Sequence, residues 1–130
     1  MYGLTFDYHT HTSYSDGKGT MEDNVQAAIA KGLKGLAITD HGPGHLFYGV
    51  KREEIPKMKE EVERLREQYP QIELYFGVEA NIISVENYVD ITEEEANFYD
   101  FIIAGYHYGT TKAYCIRNFL YQYGFLFKGE

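Results

Sequence analysis

The sequence contains a single cysteine, Cys115, among its 130 residues, so no internal disulfide is possible. It also lacks any apolar run near the ~18 residues that a membrane-spanning helix requires. The segment before Tyr8 is too short and too polar for a secretory signal peptide. Together these absences predict a protein of reducing, cytoplasmic surroundings with no membrane-embedded part.

Cationic side chains are also scarce. The chain has 12 Lys and Arg against 20 Asp and Glu, a formal net charge of −8. Non-specific binding to nucleic acid depends on cationic side chains that displace counterions, so this charge disfavours nucleic acid as a partner. Bound divalent cations can still make one pocket locally positive, which leaves room for a small anionic substrate.

Apolar runs alternate with amphipathic stretches, and no linker or repeat divides them, which predicts one domain over residues 1–130. The strands are predicted at Leu4–Tyr8, Leu36–Thr39, Ile72–Val78 and Phe101–Gly105. The helices are predicted to begin at Thr20, to span Arg52–Tyr69, to open again at Thr92 and to span Thr111–Tyr123. Four successive strand–helix units indicate an α/β fold with a parallel sheet.

Two helix starts carry capping patterns, Thr20 with Asp23 and Thr92 with Glu95, and Gly32 is a stop signal for the first helix. The second helix has the clearest periodicity. Its apolar residues recur at steps of three and four, which predicts one buried face made by Ile55, Met58, Val62 and Leu65.

Each predicted strand is followed by side chains that can bind a metal ion. They are His9, His11 and Asp16 after the first strand, Asp40 and His41 after the second, Glu79 after the third and His107 after the fourth. The carboxyl ends of parallel strands share one face, where sites are built from the following loops. The combined pattern therefore predicts a metal site at that face.

Geometry supports the pairing of the first two histidines. His9 and His11 are two apart on an extended segment, so they point to one side about 6.5–7 Å apart. Their imidazoles can close on one ion at the ~2 Å of a Zn–N bond. Taken singly, the other residues have simpler explanations: Asp16 as a turn former, Asp40 as a helix cap or a histidine's partner, and Glu79 as a solvated strand end.

Four segments together resemble the PHP (polymerase and histidinol phosphatase) superfamily of metal-dependent phosphoesterases. They are 7–17 (DYHTHTSYSDG), 38–41 (ITDH), 77–81 (GVEAN) and 104–107 (AGYH), and the resemblance extends to about Ala113. It implies a distorted TIM-like barrel of seven strand–helix units, of which this chain would form about half. It also implies that the site binds two or three divalent metal ions. These could be Zn, Mn or Fe, since all three accept mixed histidine and carboxylate ligands.

The resemblance also implies roles for individual residues. The expected ligand sets are His9, His11 and Glu79 for a first ion, Glu79 and His107 for a second, and Asp16 and His41 for a third. Asp40 is expected to orient its neighbours rather than to bind a metal. His45, in a Gly-Pro-Gly-His loop, either contacts a substrate phosphate or is a surface residue.

The chain departs from the superfamily pattern after its fourth segment. That pattern continues with a histidine from a fifth strand and then an Asp-x-His, but no histidine follows His107 here. A barrel of this class takes roughly 200 residues or more. A half-barrel would leave two sheet edges and an apolar face open, so we expect a homo-oligomer or a partner chain that completes it. A natural half-barrel, a fragment and a truncated product are all compatible with the sequence.

The function implied is hydrolysis of a small phosphomonoester, as by a histidinol phosphatase, through a metal-activated water. The general acid is not assigned. The main alternative is a metal-binding but catalytically incomplete half-domain, with a role in assembly or none. Nucleic-acid processing is a third interpretation, which the acidic charge disfavours.

Overall fold

The computed structural model describes residues 3–83, 89–107 and 110 of the chain. In order, the elements are β1 Phe6–Thr10, α1 Met21–Ala30, β2 Gly35–Ile38, a 3-10 turn Arg52–Glu54, α2 Ile55–Gln68, β3 Glu73–Asn81, α3 Glu93–Ala96 and β4 Phe101–Gly105. The strands form one curled sheet in the order β1-β2-β3-β4, and every neighbouring pair is parallel. This half-barrel with interleaved helices confirms the predicted fold class. The predicted helix Thr111–Tyr123 lies outside the described residues.

The start of α1 follows the capping pattern seen in the sequence. The Thr20 hydroxyl accepts a hydrogen bond from Asp23 N at 3.1 Å, and the Asp23 carboxylate accepts one from Thr20 N at 2.8 Å. Gly32 follows the helix with a φ of 73°, a conformation that favours glycine. Thr92 and Glu95 make the same reciprocal cap at the start of α3, so both predicted caps are confirmed.

The hydrophobic core lies between the sheet and the two longer helices. The sheet contributes alternate residues of its two central strands, Leu36 and Ile38 from β2 and Leu74 and Phe76 from β3. From α2 come the four residues that the helical periodicity predicted, Ile55, Met58, Val62 and Leu65, all buried. Among the helices that the structure describes, none is both long and apolar enough to cross a membrane.

The sheet face opposite the helices is aromatic and partly open. The ring of Tyr8 lies 5.9 Å from that of Tyr75 and 6.2 Å from that of Phe101, between centroids. Tyr8 nevertheless remains 49% exposed. Within the described part of the chain, these strands therefore leave an aromatic face partly exposed, as was expected of a half-barrel.

β2 lies one residue earlier than the predicted Leu36–Thr39, and the predicted ends of two other strands were wrong by more. β1 begins and ends two residues later than Leu4–Tyr8, and β3 continues past Val78 to Asn81. Backbone pairing sustains both strands at their carboxyl ends, with Thr39 N donating to Thr10 O at 2.8 Å and Asn81 paired with Gly105. His9 and Glu79 therefore lie within strands rather than after them. Their polar side chains interrupt the apolar pattern by which the strands were recognised.

Candidate metal centre

The carboxyl ends of the four strands bring together all six residues that were predicted as ligands. Three overlapping groups form, each with its donor atoms within 4.8 Å of one another: His9, His11 and Glu79; His11, Asp16 and His41; and His41, Glu79 and His107. The parallel arrangement of the strands explains this convergence, because it aligns chain segments far apart in sequence at one edge.

The first group has the dimensions of a metal site. The Nε2 atoms of His9 and His11 are 3.0 Å apart, and they lie 3.4 Å and 3.3 Å from Glu79 Oε2. A tetrahedral ion with bonds of about 2.0–2.1 Å would hold its ligand atoms about 3.3–3.4 Å apart. One ion therefore fits among these three atoms.

Glu79 joins this group to a second one. Its Oε2 lies 3.1 Å from His41 Nδ1, while its Oε1 lies 3.1 Å from His107 Nε2. The carboxylate is 8% exposed and comes from the middle of the sheet. Since its two oxygens face different histidines, Glu79 belongs to both groups of potential metal-binding side chains.

Asp16 closes the third group. Its Oδ1 lies 2.6 Å from His11 Nδ1 and its Oδ2 lies 3.5 Å from His41 Nε2. Burial alone would raise the pKa of Asp16, but the hydrogen bond from His11 and the charges of His41 and His11 lower it overall. A proton held on His11 Nδ1 by this bond leaves the lone pair of Nε2 directed at His9 and Glu79. Asp16 thus orients the His11 ring of the first group in addition to belonging to the third.

The buried imidazoles fit a bound cation. Burial, followed by the charge of His11, lowers the pKa of His41 and so favours the neutral ring that binds metals. Within the described part of the chain, His41 Nδ1 and His107 Nδ1 are buried without a hydrogen bond, although His41 Nδ1 is only 3.1 Å from Glu79 Oε2. A buried polar atom without a partner is costly. A cation beside the Glu79 carboxylate would give His41 Nδ1 that partner.

The hydrogen bonds that Asp40 makes with described residues come from the loop that carries Asp16 rather than from a histidine. Its Oδ1 accepts hydrogen bonds from Thr12 N at 2.6 Å and Ser15 Oγ at 2.5 Å, and its Oδ2 accepts one from Thr12 Oγ1 at 2.7 Å. The side chain is buried, with 1% exposed. These hydrogen bonds hold the backbone between β1 and α1, and the expected role of Asp40 in orienting a metal ligand stays a prediction.

His45 lies over the cluster. Its ring is stacked on that of His41, with the centroids 4.8 Å apart and the planes at 25°. Its Nδ1 accepts a hydrogen bond from Tyr48 N at 3.1 Å. Burial lowers the pKa of His45, and the nearby His107 lowers it further. The His45 ring therefore lies beside the cluster, and its contact with a substrate phosphate stays a prediction.

Two further residues at the site were missed by sequence reasoning. Asp90, which is 5% exposed, accepts hydrogen bonds from Asn81 and from the loop that carries His45. Asn81 was noticed only as part of a motif. The signal that could have found them is the pair of glycines, Gly42 and Gly44, in a loop that packs against a side chain.

Comparison with known proteins identifies the family. The model of the PHP domain matches residues 7–125. This chain belongs to the PHP domain family. The match covers all four segments from which the resemblance was first drawn, and with it the whole cluster of histidines and carboxylates.

Several curated relatives of this PHP chain are named as probable phosphatases. One from Caldanaerobacter subterraneus subsp. tengcongensis is 36% identical over 110 residues, 80% of this chain and 39% of the relative. One from Aeromonas hydrophila is 35% identical over 109 residues, 79% of this chain and 40% of the relative. One from Photobacterium profundum is 33% identical over 107 residues, 78% of this chain and 39% of the relative. The chain spans about two-fifths of the length of these relatives.

Proposed function

We propose that this PHP chain is, or is part of, a metal-dependent phosphoesterase that hydrolyses a small phosphomonoester. The observation that carries the proposal is the position of Glu79 between the pair His9 and His11 on one side and His41 and His107 on the other. The names of the relatives support hydrolysis of phosphate esters. A histidinol phosphate-like substrate, small and anionic, is compatible with the net charge of −8, which disfavours polynucleotides.

In this proposal, the residues of the cluster bind metal ions, and Asp40 and His45 have supporting and substrate-binding roles. Two or three divalent ions, of Zn, Mn or Fe, would be held by His9, His11, Asp16, His41, Glu79 and His107. Such ions lower the pKa of a coordinated water and neutralise phosphate oxygens. Asp40 would keep the loop of Asp16 in place through its three hydrogen bonds. His45, stacked above His41, would contact the substrate phosphate.

A second candidate is a PHP half-domain that binds metal without completing the reaction. It is supported by the four matched segments themselves, which carry only part of the ligands in the superfamily pattern. Under either candidate, a second copy or a partner chain would cover the open aromatic face around Tyr8. A cytoplasmic setting is part of the proposal and depends on the single cysteine.

The deciding experiment is hydrolysis of p-nitrophenyl phosphate by the metal-reconstituted chain, beside His9→Ala and Glu79→Ala. Turnover that requires metal and falls at least 100-fold, by our rough expectation, in both variants would support the phosphoesterase, since each variant loses a ligand. Glu60→Ala, at an exposed position of α2, is the control and should keep its activity. Stoichiometric metal without turnover would favour the second candidate.

A further inference from the structure

The loop between β2 and α2 is folded around a buried carboxylate from a distant part of the chain. Asp90 Oδ2 accepts hydrogen bonds from Gly44 N at 2.6 Å and from Asn81 Nδ2 at 2.5 Å, and Asp90 Oδ1 accepts one from Asn81 N at 2.7 Å. Asn81 is fully buried and also donates from Nδ2 to Gly42 O at 3.1 Å. Residues 42–49 of this connection, the 42–49 loop, contain both of these glycines and His45. Asp90 thereby ties the 42–49 loop to the carboxyl end of β3.

The fit of this loop leaves no room for side chains at its glycines. A Cβ atom at Gly42 would lie 2.6 Å from the Asp90 carboxylate oxygens, and one at Gly44 would lie 2.7 Å from Asp90 Cβ. Contacts this short exclude any larger residue unless Asp90 moves. The position of the loop is therefore set by direct contact with Asp90 as well as by hydrogen bonds.

Asp90 is itself held independently of its carboxylate. Its main-chain N donates to Asn81 O at 3.1 Å, and its main-chain O accepts a hydrogen bond from Arg52 Nη2 at 2.8 Å. These two bonds do not involve the side chain. A change confined to the carboxylate should therefore leave the backbone of this region in place.

The loop carries His45 over the cluster. At one end of the loop, Gly42 N donates to Glu79 O at 2.8 Å, and at the other, Val50 N donates to His41 O at 3.0 Å. Between these anchors, Tyr48 N donates to His45 Nδ1, which leaves the proton of a neutral ring on Nε2. Asp90 holds the middle of this span through the hydrogen bond from Gly44 N.

We propose that Asp90 is a positioning residue: it fixes the 42–49 loop so that His45 stays stacked above His41 with its proton on Nε2. The catalytic importance of this position rests on the proposed function, in which His45 contacts the substrate phosphate. The positioning itself does not depend on turnover. Asp90→Asn removes one acceptor oxygen and places a donor amide against the donors of Gly44 and Asn81.

The first test uses the metal-free protein, so that it is independent of activity. Side-chain ¹⁵N spectra should show His45 as a single Nε2–H tautomer in the native protein and as a mixture in Asp90→Asn. Amide exchange at Tyr48 should accelerate by about tenfold or more in the variant, because its acceptor is no longer held. An unchanged tautomer and unchanged exchange would overturn the proposal.

Asp100→Asn provides the matched control. Asp100 also accepts a backbone hydrogen bond from β3, from Phe76 N at 2.7 Å, but it contacts Arg66 rather than the 42–49 loop. It should lower stability while leaving the His45 tautomer and Tyr48 exchange as in the native protein. An equal response of His45 to both variants would overturn the proposal, because it would mean that Asp90 acts only through general stability.

The second test measures phosphatase activity in Asp90→Asn, His45→Ala and the double variant. If Asp90 acts through His45, Asp90→Asn lowers kcat/KM in the native background and has little further effect once His45 is gone. Full additivity would overturn the link. Absence of turnover in the native chain would contradict the proposed function, while the tautomer test would still decide the positioning. Should Asp90→Asn not fold, Gly44→Ala displaces the loop by its own Cβ and takes its place in both tests.

Discussion

His9 and His11 direct their Nε2 atoms at one another across 3.0 Å. At most one of these two nitrogens can carry a proton without a clash, and both also lie within 3.4 Å of Glu79 Oε2. Neutral imidazole nitrogens accept one proton or one metal ion each. The arrangement is therefore better satisfied by a shared cation than by hydrogen bonds alone.

The first prediction concerns metal content. His9→Ala removes one of the three donors of the first group. Losing a residue that only supports a metal ligand lowers metal affinity by up to about 100-fold, so losing a donor itself should lower it by more than that. Elemental analysis after dialysis measures the change. His45→Ala is the control, because its Nδ1 accepts the Tyr48 N–H and it lies outside the three groups found in the described residues. Unchanged metal in His9→Ala would contradict the assigned site.

The second prediction concerns the support of the β1–α1 loop. Asp40→Asn replaces an acceptor oxygen by an amide that meets the donors of Thr12 and Ser15 in a buried place. The free energy of unfolding should fall by about 1–3 kcal/mol. Urea denaturation measures this change. Asp7→Asn makes the same substitution at an exposed position and should stay within about 0.5 kcal/mol of the native protein.

The third prediction concerns acid stability. Burial opposes ionisation of Glu95, but hydrogen bonds from Arg52 and Thr92 outweigh it, so the pKa of Glu95 lies below its usual 4.5. A lowered folded-state pKa gives stability that is present above about pH 4.5 and is lost as the pH falls through the folded value. Glu95→Gln should therefore flatten the dependence of Tm on pH in this range.

The expected size of that effect is about 1 kcal/mol or less, because Arg52 is partly exposed to solvent. Glu93→Gln is the control: it changes an exposed position of the same helix and keeps the pair of Arg52 with Glu95. Equal slopes in the native protein and Glu95→Gln would show that this pair does not govern acid unfolding.

The fourth prediction concerns association. The aromatic face around Tyr8, Tyr75 and Phe101 is open, and such faces mark interaction sites. We expect at least a dimer by light scattering at micromolar concentration. Tyr8→Glu should shift the mass towards the monomer, whereas Gln71→Glu, with the same charge change at an exposed position before β3, should not. A monomeric native chain would contradict this expectation.

The sequence predicted the fold class and the convergence of the ligands because both follow from order along the chain. Strands that end in histidine or carboxylate must, when parallel, present those ends together. The positions of His41 and His107 after β2 and β4 were predicted correctly for this reason. The inclusion of Glu79 within β3 was not, since apolar periodicity carries no information where the strand enters a polar site.

Contacts between loops were beyond such reasoning. Nothing in the local sequence of Asp90 distinguishes it from any turn aspartate. Its partners, Gly44 and Asn81, lie 46 and 9 residues away, and only the folding of the sheet brings all three together. The same holds for Asp40, whose hydrogen bonds to Thr12 and Ser15 depend on the register of β1 against β2.

The six donors are spread over the chain from His9 to His107, and each of the four strands contributes to their placement. Parallel pairs are joined by crossovers, so the donor set can assemble only after β4 has paired with β3. Affinity for a divalent ion thereby becomes a gauge of how completely the chain has folded. An ion present at 100 times its Kd would in turn raise the free energy of unfolding by about 2.7 kcal/mol, so the stability of the protein would depend on the metal concentration.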